Sequence, residues 1–289
     1  AHDIVAARKR GMKIVAVDPR RVGIAAQADV LLQVRPGADG ALALAMIDVM
    51  IKERLFDESF VRQWTNGTFL MRRDTGAPLT EADLTSDGSR SRFVAWDENA
   101  NCPVLYDAAS GAYDRDSATL AFFGERTITT REGKRVACEP AFACLAALAA
   151  QFAPEKSAAI SCVPVEKVRA AAHLLAANRP VSMFMHNGVG QHTNATQTSR
   201  AIATLYALLG DFDAFGGNVV FPKAPLNNVS GKEFLSNEAA LERIGRERKP
   251  LGPPAKPGNC AAYDVFTAIL EKCPYPVKAL LNFGSNTVM

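Results

Sequence analysis

Three short apolar runs in this sequence stop abruptly on polar or small residues. Ile14–Val17 meets Asp18-Pro19-Arg20-Arg21, the run ending at Met185 meets His186-Asn187-Gly188, and the run ending at Leu281 meets Asn282 and then Gly284. Short runs of β-favouring residues without alternation suit strands covered on both faces. A sudden polar ending suits the carboxyl edge of a parallel sheet, where open α/β folds hold their ligand loops. The pattern predicts an α/β fold: two doubly wound, Rossmann-like units with parallel sheets, separated by an irregular β-rich insertion.

The opening residues read as the second half of a helix, with Arg8–Arg10 at its negative end and Gly11 terminating it. Val30–Val34 reads as a strand, Pro36-Gly37 as a turn, and about Gly40–Leu55 as a helix with Asp39 at its N-cap. From Thr65 to Glu139, Gly, Asp, Ser and Thr become frequent, and RFVAWD and RTITTREGKRVACEP read as strands and a hairpin. Helical periodicity then returns, with Pro154 and Pro164 near helix starts. A helix over about Thr196–Leu209 ends at Gly210, Leu226–Gly258 reads as a long excursion, and a helix near Tyr263–Cys273 precedes the last strand. The expected organisation is an α/β dinucleotide-binding unit over 1–65, a loop and hairpin insertion over 66–139, a helical connector over 140–174 and a second α/β unit with cofactor loops over 175–289. Because the chain opens inside a helix and closes on a strand-to-helix loop, a piece of a longer protein is expected.

Several function classes are disfavoured. A net charge of +3, without a polybasic tract, gives no argument for nucleic acid. No run approaches the roughly 18 apolar residues of a membrane span, and the opening AHDIVAARKRG lacks a signal peptide's apolar core. The six cysteines form no C-x-x-C pair and no zinc or iron–sulfur spacing, so they read as scattered buried thiols, and no metal ligand is assigned. Trp64 and Trp96 read as packing residues and His186 as a buried histidine within its strand. GVGQHT, Gly188 to Thr193, is G-x-G without the third glycine, but it follows a strand and precedes a helix. Its backbone N–H groups therefore suit a phosphate-bearing ligand. A nicotinamide dehydrogenase is weakened by the absence of G-x-G-x-x-G after the first strand.

Taken together, these motifs resemble the dimethyl sulfoxide reductase family of molybdopterin oxidoreductases. The resemblance lies in Asp18-Pro19-Arg20, Ala28-Asp29 and Pro36-Gly37-Ala38-Asp39, in NGVGQHTNATQTSRAIATLYALLGDFDAFGGNV, and in LLNFGSN. Two departures are visible: Ala38 stands where the family usually has Thr, and Thr287 where it usually has Pro. The resemblance implies molybdopterin guanine dinucleotide with molybdenum or tungsten as cofactor. It implies a parent enzyme that performs two-electron redox or oxygen-atom transfer, with a few relatives catalysing hydration. The implied cofactor-binding residues are Asp18, Arg20, Arg21, Gly37, Asp39, Asn187, Gly188, Gly190, Gln191, His192, Gly284, Ser285 and Asn286. Asp18 suits ribose hydroxyls, Arg20 or Arg21 phosphate, and Asp39 the paired N–H donors of guanine. A plain N-cap explains the position of Asp39 but not its conjunction with Asp18. No catalytic residue is assigned, and any iron–sulfur cluster and the metal's protein ligand belong upstream. The implied partners are the remaining N- and C-terminal parts of the same protein and an electron-transfer subunit, in a soluble cytoplasmic or periplasmic setting. The competing reading is a non-catalytic guanine nucleotide-binding module of doubly wound fold.

Overall fold

The computed structural model describes residues 2–115, 119–222, 224–227, 231, 234–256 and 258–283. By internal contacts the chain divides into a larger unit, Ala1–Val220, and a smaller one, Phe221–Met289. The larger unit opens with helix α1 (His2–Lys9), and Gly11 follows at φ +101°, a left-handed value suited to a residue without Cβ. Strands β1 (Val15–Val17) and β2 (Val30–Leu32) then pair in parallel, Val15 opposite Val30 and Val17 opposite Leu32. Asp29, just before β2, accepts the Ile14 N–H at 2.9 Å and pairs with Lys13 at 3.2 Å. The Ile14 bond leads among the causes that hold its carboxyl below the usual range. The Ala28-Asp29 motif thus fastens the start of β1.

Helix α2 (Asp39–Lys52) follows the Pro36-Gly37 turn, and α3 (Glu58–Trp64) is capped by Asp57, whose side chain accepts the Phe60 N–H. The next stretch is antiparallel. Strands β3 (Leu70–Arg72), β7 (Arg126–Thr129) and β8 (Arg135–Pro140) form one sheet in the order β3-β8-β7. Strands β4 (Arg92–Asp97), β5 (Cys102–Asp107) and β6 (Ala112–Tyr113) form another, after the single-turn helix α4 (Glu81–Leu84). The REGKR turn joins β7 to β8, with Gly133 at φ +76°. Leu70, Leu79, Val94, Val136 and Cys138 make a small core here. Burial pushes the Cys138 thiol up to about 11, so it stays neutral.

Three helices return the chain to the main core: α5 (Ala141–Ala150), α6 (Pro154–Ser161) and α7 (Val165–Ala177). Pro154 starts α6 and Pro164 caps α7, where a missing N–H costs nothing. The short α8 (Asn187–Gly190) and the longer α9 (Ala195–Leu209) complete this unit's helices, and Gly210 ends α9 at φ +71°. A Cβ on Gly210 would press on Asp57 and Phe60 at 3.0 Å, so the same glycine permits the left-handed turn and the close approach of α3.

The smaller unit holds α10 (Asn237–Leu241), capped by Ser236, and α11 (Ala262–Glu271). Buried Asp264 pairs with Lys249 at 2.8 Å. Among the described residues no helix is long and apolar enough to cross a membrane.

The mixed α/β class read from the sequence is the class observed, but several finer expectations change. The apolar runs near 181–185 and 277–283 form no strand ladder among the described residues; the parallel ladder there is that of β1 and β2. At 181–183 the backbone is bonded by side chains instead: Val181 N–H by Asp211, Met183 by Asn218. Only Cys138 is fully buried; Cys162, Cys260 and Cys273 are exposed. Trp64 is exposed at the end of α3, whereas Trp96 is half-buried beneath Arg126. Gly284, Ser285 and Asn286 lie outside the described residues.

Two interactions make measurable demands on this fold. Ile47 is fully buried on α2; Ile47→Ala should cost about 2–5 kcal/mol in denaturant unfolding. Arg179 joins the helix cap Asp57 at 2.9 Å to buried Asp211 at 3.1 Å. Burial raises the Asp57 carboxyl, but the Phe60 N–H and Arg179 together outweigh burial and hold it below its ordinary value. Removing Arg179 leaves Asp211 buried with one remaining bond, from Val181 N–H. Arg179→Ala should therefore cost about 2–3 kcal/mol at neutral pH, below the full cost of breaking a wholly buried pair. A depressed carboxyl stabilises above its unfolded pKa of about 4 and loses that contribution as pH falls through the lower folded value. The gap between wild type and variant should accordingly narrow in acid, as read by urea unfolding at several pH values.

Candidate functional site

The site begins where β1 and β2 end. Asp18 extends the ladder with its N–H on Leu32 O, and its Oδ1 accepts the Arg20 N–H at 2.7 Å. That bond folds the chain back in an Asx turn and leaves Oδ2 without a partner among the described residues. After β2, the Ala38 N–H reaches Arg35 O at 3.0 Å, closing a turn that puts Gly37 at φ +87°. An ordinary residue there would be strained, and its Cβ would also lie 3.3 Å from His192 Nδ1.

Asp39 differs from its expected role. The N-cap of α2 is Ala38, with no side-chain cap bond, and Asp39 is the first helical residue. Its carboxylate has no side-chain partner among the described residues, and it is only half-buried. The unpaired N–H groups of the helix start favour an anion there without bonding it.

The opposite wall comes from 181–186, α8 and the start of α9. Gly40 lies so close to α9 that an added Cβ would sit 3.0 Å from Thr198 Oγ1, and Asn194 Nδ2 donates to Gly37 O at 3.4 Å. These contacts bring the two chain segments around a cavity of about 540 Å³. Asp18, Asp39, Gly188, Gln191 and His192 line it together, over an apolar floor that includes Val15, Val34, Leu42, Met46, Ile202 and Leu205. An adjoining cavity of about 450 Å³ is lined by His186, Asn187, Gly190, Gln191 and Ser199. Gln191 and His186 border both.

The structure thus brings Asp18 and Asp39 together with the Gly188–His192 loop, although more than 140 residues separate the segments. Gly37 supports the rim through its contact with His192. Arg20 and Arg21 do not join the cavity lining; both are exposed, and Arg20 Nε lies 3.8 Å from Asp18 Oδ1. The reason is local, because the Asx turn directs the chain away after Pro19. His186 is exposed at the cavities rather than buried. Sequence reasoning did not single out Leu42, Ala43 and Met46, which line the cavity with Asp39 at the i, i+3, i+4, i+7 spacing of one helix face. Nor did it single out Asp211 and Asn218, which hold 181–183. Among the described residues no group of three or more His, Cys, Asp or Glu could hold a metal ion.

The family described as molybdopterin oxidoreductase matches residues 1–246. Dopamine dehydroxylase of Eggerthella lenta is 26% identical over 94% of this chain and 35% of its own length. The perchlorate reductase subunit alpha of Dechloromonas aromatica is 32% identical over 76% of this chain and 26% of its own length. The solved acetylene hydratase from Pelobacter acetylenicus shares the fold, with a TM-score of 0.61 at 22% identity, over 96% of this chain and 31% of that one. The chain spans about a third or less of the length of these relatives. With the family matched across most of its length, this chain belongs to the molybdopterin oxidoreductases.

Proposed function

We propose that this chain contributes the guanine dinucleotide-binding shell of a longer molybdopterin guanine dinucleotide-dependent oxidoreductase. The observation that carries the proposal is that Asp39, whose carboxylate has no side-chain partner among the described residues, lines the same cavity as Asp18 and His192. The chemistry of this donor and acceptor set fits the base and ribose end of such a cofactor. A carboxylate accepts two N–H donors from guanine's Watson–Crick edge, an arrangement adenine does not offer. The free Oδ2 of Asp18 suits a ribose hydroxyl. The apolar floor suits the flat face of a base. Asn187, Gln191 and the backbone of Gly188–Gln191 lie on the side suited to phosphate or pterin. The bound cofactor would supply the metal at which two electrons or an oxygen atom are exchanged. This chain's own residues bind and orient its nucleotide part. By the same reading, the rest of the parent chain supplies the metal's protein ligand, and a separate subunit serves electron transfer where the reaction is redox.

Asp39 gives the direct test. In the full-length protein, Asp39→Asn replaces an acceptor oxygen by an NH₂ donor that would face a guanine N–H. Loss of a bond to a charged group costs roughly 1.5–3 kcal/mol, which is about one to two decades in affinity. Stability of the cofactor-free protein should move by no more than about 1 kcal/mol, because no cap bond is lost and only the charge–dipole term changes. Full cofactor occupancy with unchanged competition by guanine nucleotides would remove Asp39 as the base-reading residue.

Gly37 tests the rim. Gly37→Ala should destabilise by about 1–2 kcal/mol through its positive φ alone and should also displace His192. Combining it with His192→Ala should relieve the steric part but not the backbone part. Thermal unfolding of the two variants separates these contributions, and cofactor occupancy should fall in the single substitution.

A further inference from the structure

The extended segment 181–186 walls the larger cavity through Met183, Phe184, Met185 and His186, yet it belongs to no sheet among the described residues. The loop after α9 holds it instead. Asn218 Oδ1 accepts the Met183 N–H at 2.7 Å, and Asn218 Nδ2 donates to the Met183 carbonyl at 2.8 Å. One side-chain amide therefore makes both bonds that an adjacent strand would make to a residue. Asp211 Oδ2 accepts the Val181 N–H at 2.9 Å, and Ser182 Oγ donates to Gly216 O at 2.9 Å.

The loop is itself fastened to α9, which also lines the cavity through Ile202 and Leu205. The Tyr206 hydroxyl accepts the Asn218 N–H and donates to Asp211 O, both at 2.9 Å. A Cβ on Gly217 would collide with Asp211 O, so the loop closes this tightly only with glycine there. A surface asparagine commonly makes one local bond and leaves the other arm in water. Here both arms are spent on one residue 35 positions away, and that residue lines the cavity.

We propose that Asn218 is a positioning residue. Its amide stands in for a β-strand at Met183, fixes Met183–His186 as a cavity wall, and so sets how firmly the cavity retains its ligand. This rests on the reading of the cavity as the guanine dinucleotide site. It predicts a specific pH signature for Asn218→Asp. The ionised acid keeps the acceptor for Met183 N–H but turns a negative oxygen towards the Met183 carbonyl. The neutral acid restores the pairing, its C=O accepting from Met183 N–H and its O–H donating to Met183 O. The groups around position 218 are the Tyr206 hydroxyl, the Asp211 carboxylate paired with Arg179, and the Asp213 carboxylate, which accepts the Val220 N–H. The Met183 carbonyl, with which only the neutral acid can pair, raises the titration of an introduced acid above its usual value of about 4.

The test uses the full-length holoenzyme with Asn218→Ala, Asn218→Asp and Asp39→Asn. In Asn218→Ala, hydrogen exchange at the Met183 amide should accelerate about tenfold, the effect of losing roughly one ordinary hydrogen bond. Amides in the middle of α9 should keep their protection, and cofactor should dissociate several-fold faster. In Asn218→Asp, cofactor retention relative to wild type should recover as pH is lowered towards about 5, where the raised carboxyl protonates. Unchanged exchange at Met183 overturns the proposal. So does accelerated exchange with wild-type retention in a protein where Asp39→Asn lowers retention. If Asn218→Ala does not accumulate folded, Asn218→Asp decides, and a retention ratio that stays flat with pH overturns the proposal. If Asp39→Asn also leaves retention untouched, the reading of the cavity falls by itself, and the exchange result still decides whether Asn218 holds Met183.

Discussion

The larger unit depends on the burial of one helix on nearly every side. In α2, Leu42, Ala43 and the unbroken run Ala45–Met50 are all buried. A helix without a polar face has to be enclosed by other elements, and α5, α6, α7 and α9 all pack against it. The enclosure even includes Asp48, whose carboxylate reaches Lys52 at 2.8 Å near the helix end. Small residues permit this density: Ala41 offers its carbonyl to Ser157 Oγ, and Gly40 admits Thr198. Once α2 is fixed in this way, its N-terminus and Asp39 have no freedom to wander. The position of the candidate site is a consequence of core packing.

The same arrangement explains why the cavity edge needs polar fasteners. The segment 181–186 is too short and too one-sided to gain its backbone bonds from a long ladder, so Asp211 and Asn218 provide them. Arg179 ties Asp211 to the cap of α3, which links this fastening to the aromatic cluster of Phe56, Phe122 and Phe142. Polar groups here do what apolar area does around α2. They are directional, so they fix a backbone position more narrowly than contact area would.

Much of this was legible in the sequence because local chemistry governed it. Pro154 and Pro164 marked helix starts, Gly210 marked the end of α9, and the REGKR turn joined a real hairpin. Asp18 and the Gly188–His192 loop each follow an apolar run, and both line one cavity, although only the first run forms a strand. What could not be read depended on distant partners. The cap of α2 fell to Ala38 because the Pro36-Gly37 turn feeds the helix one residue earlier than composition suggests. His186 looked buried because its neighbours are apolar, but the wall it ends opens onto two cavities. The strand-like run at 181–185 carries the right residues for a ladder, yet its hydrogen bonds go to side chains some thirty residues downstream. No local pattern announces such a partner.

The distribution of charge gives the proposed site a direction. Among the described residues no Lys or Arg lines the larger cavity, whereas Asp18 and Asp39 do. Placing a pyrophosphate there would set anion against anion in a partly apolar space, where such repulsion is poorly screened. Neutral N–H and O–H donors are what this cavity can satisfy, and a guanine base with its ribose offers both. The adjoining cavity has the opposite character: Asn187, Gln191 and Ser199 bring side-chain donors, and a Cβ added at Gly190 would meet nothing within 4 Å. Oxygen-rich groups suit that side. Under the proposed reading, the nucleotide therefore runs from its base at Asp39 towards its phosphates near Asn187–Gln191. Arg20 and Arg21, turned outward by the Asx turn at Asp18, stand apart from that path. A guanidinium inside the cavity would pair with Asp39 and occupy the acceptor that the proposed reading assigns to guanine.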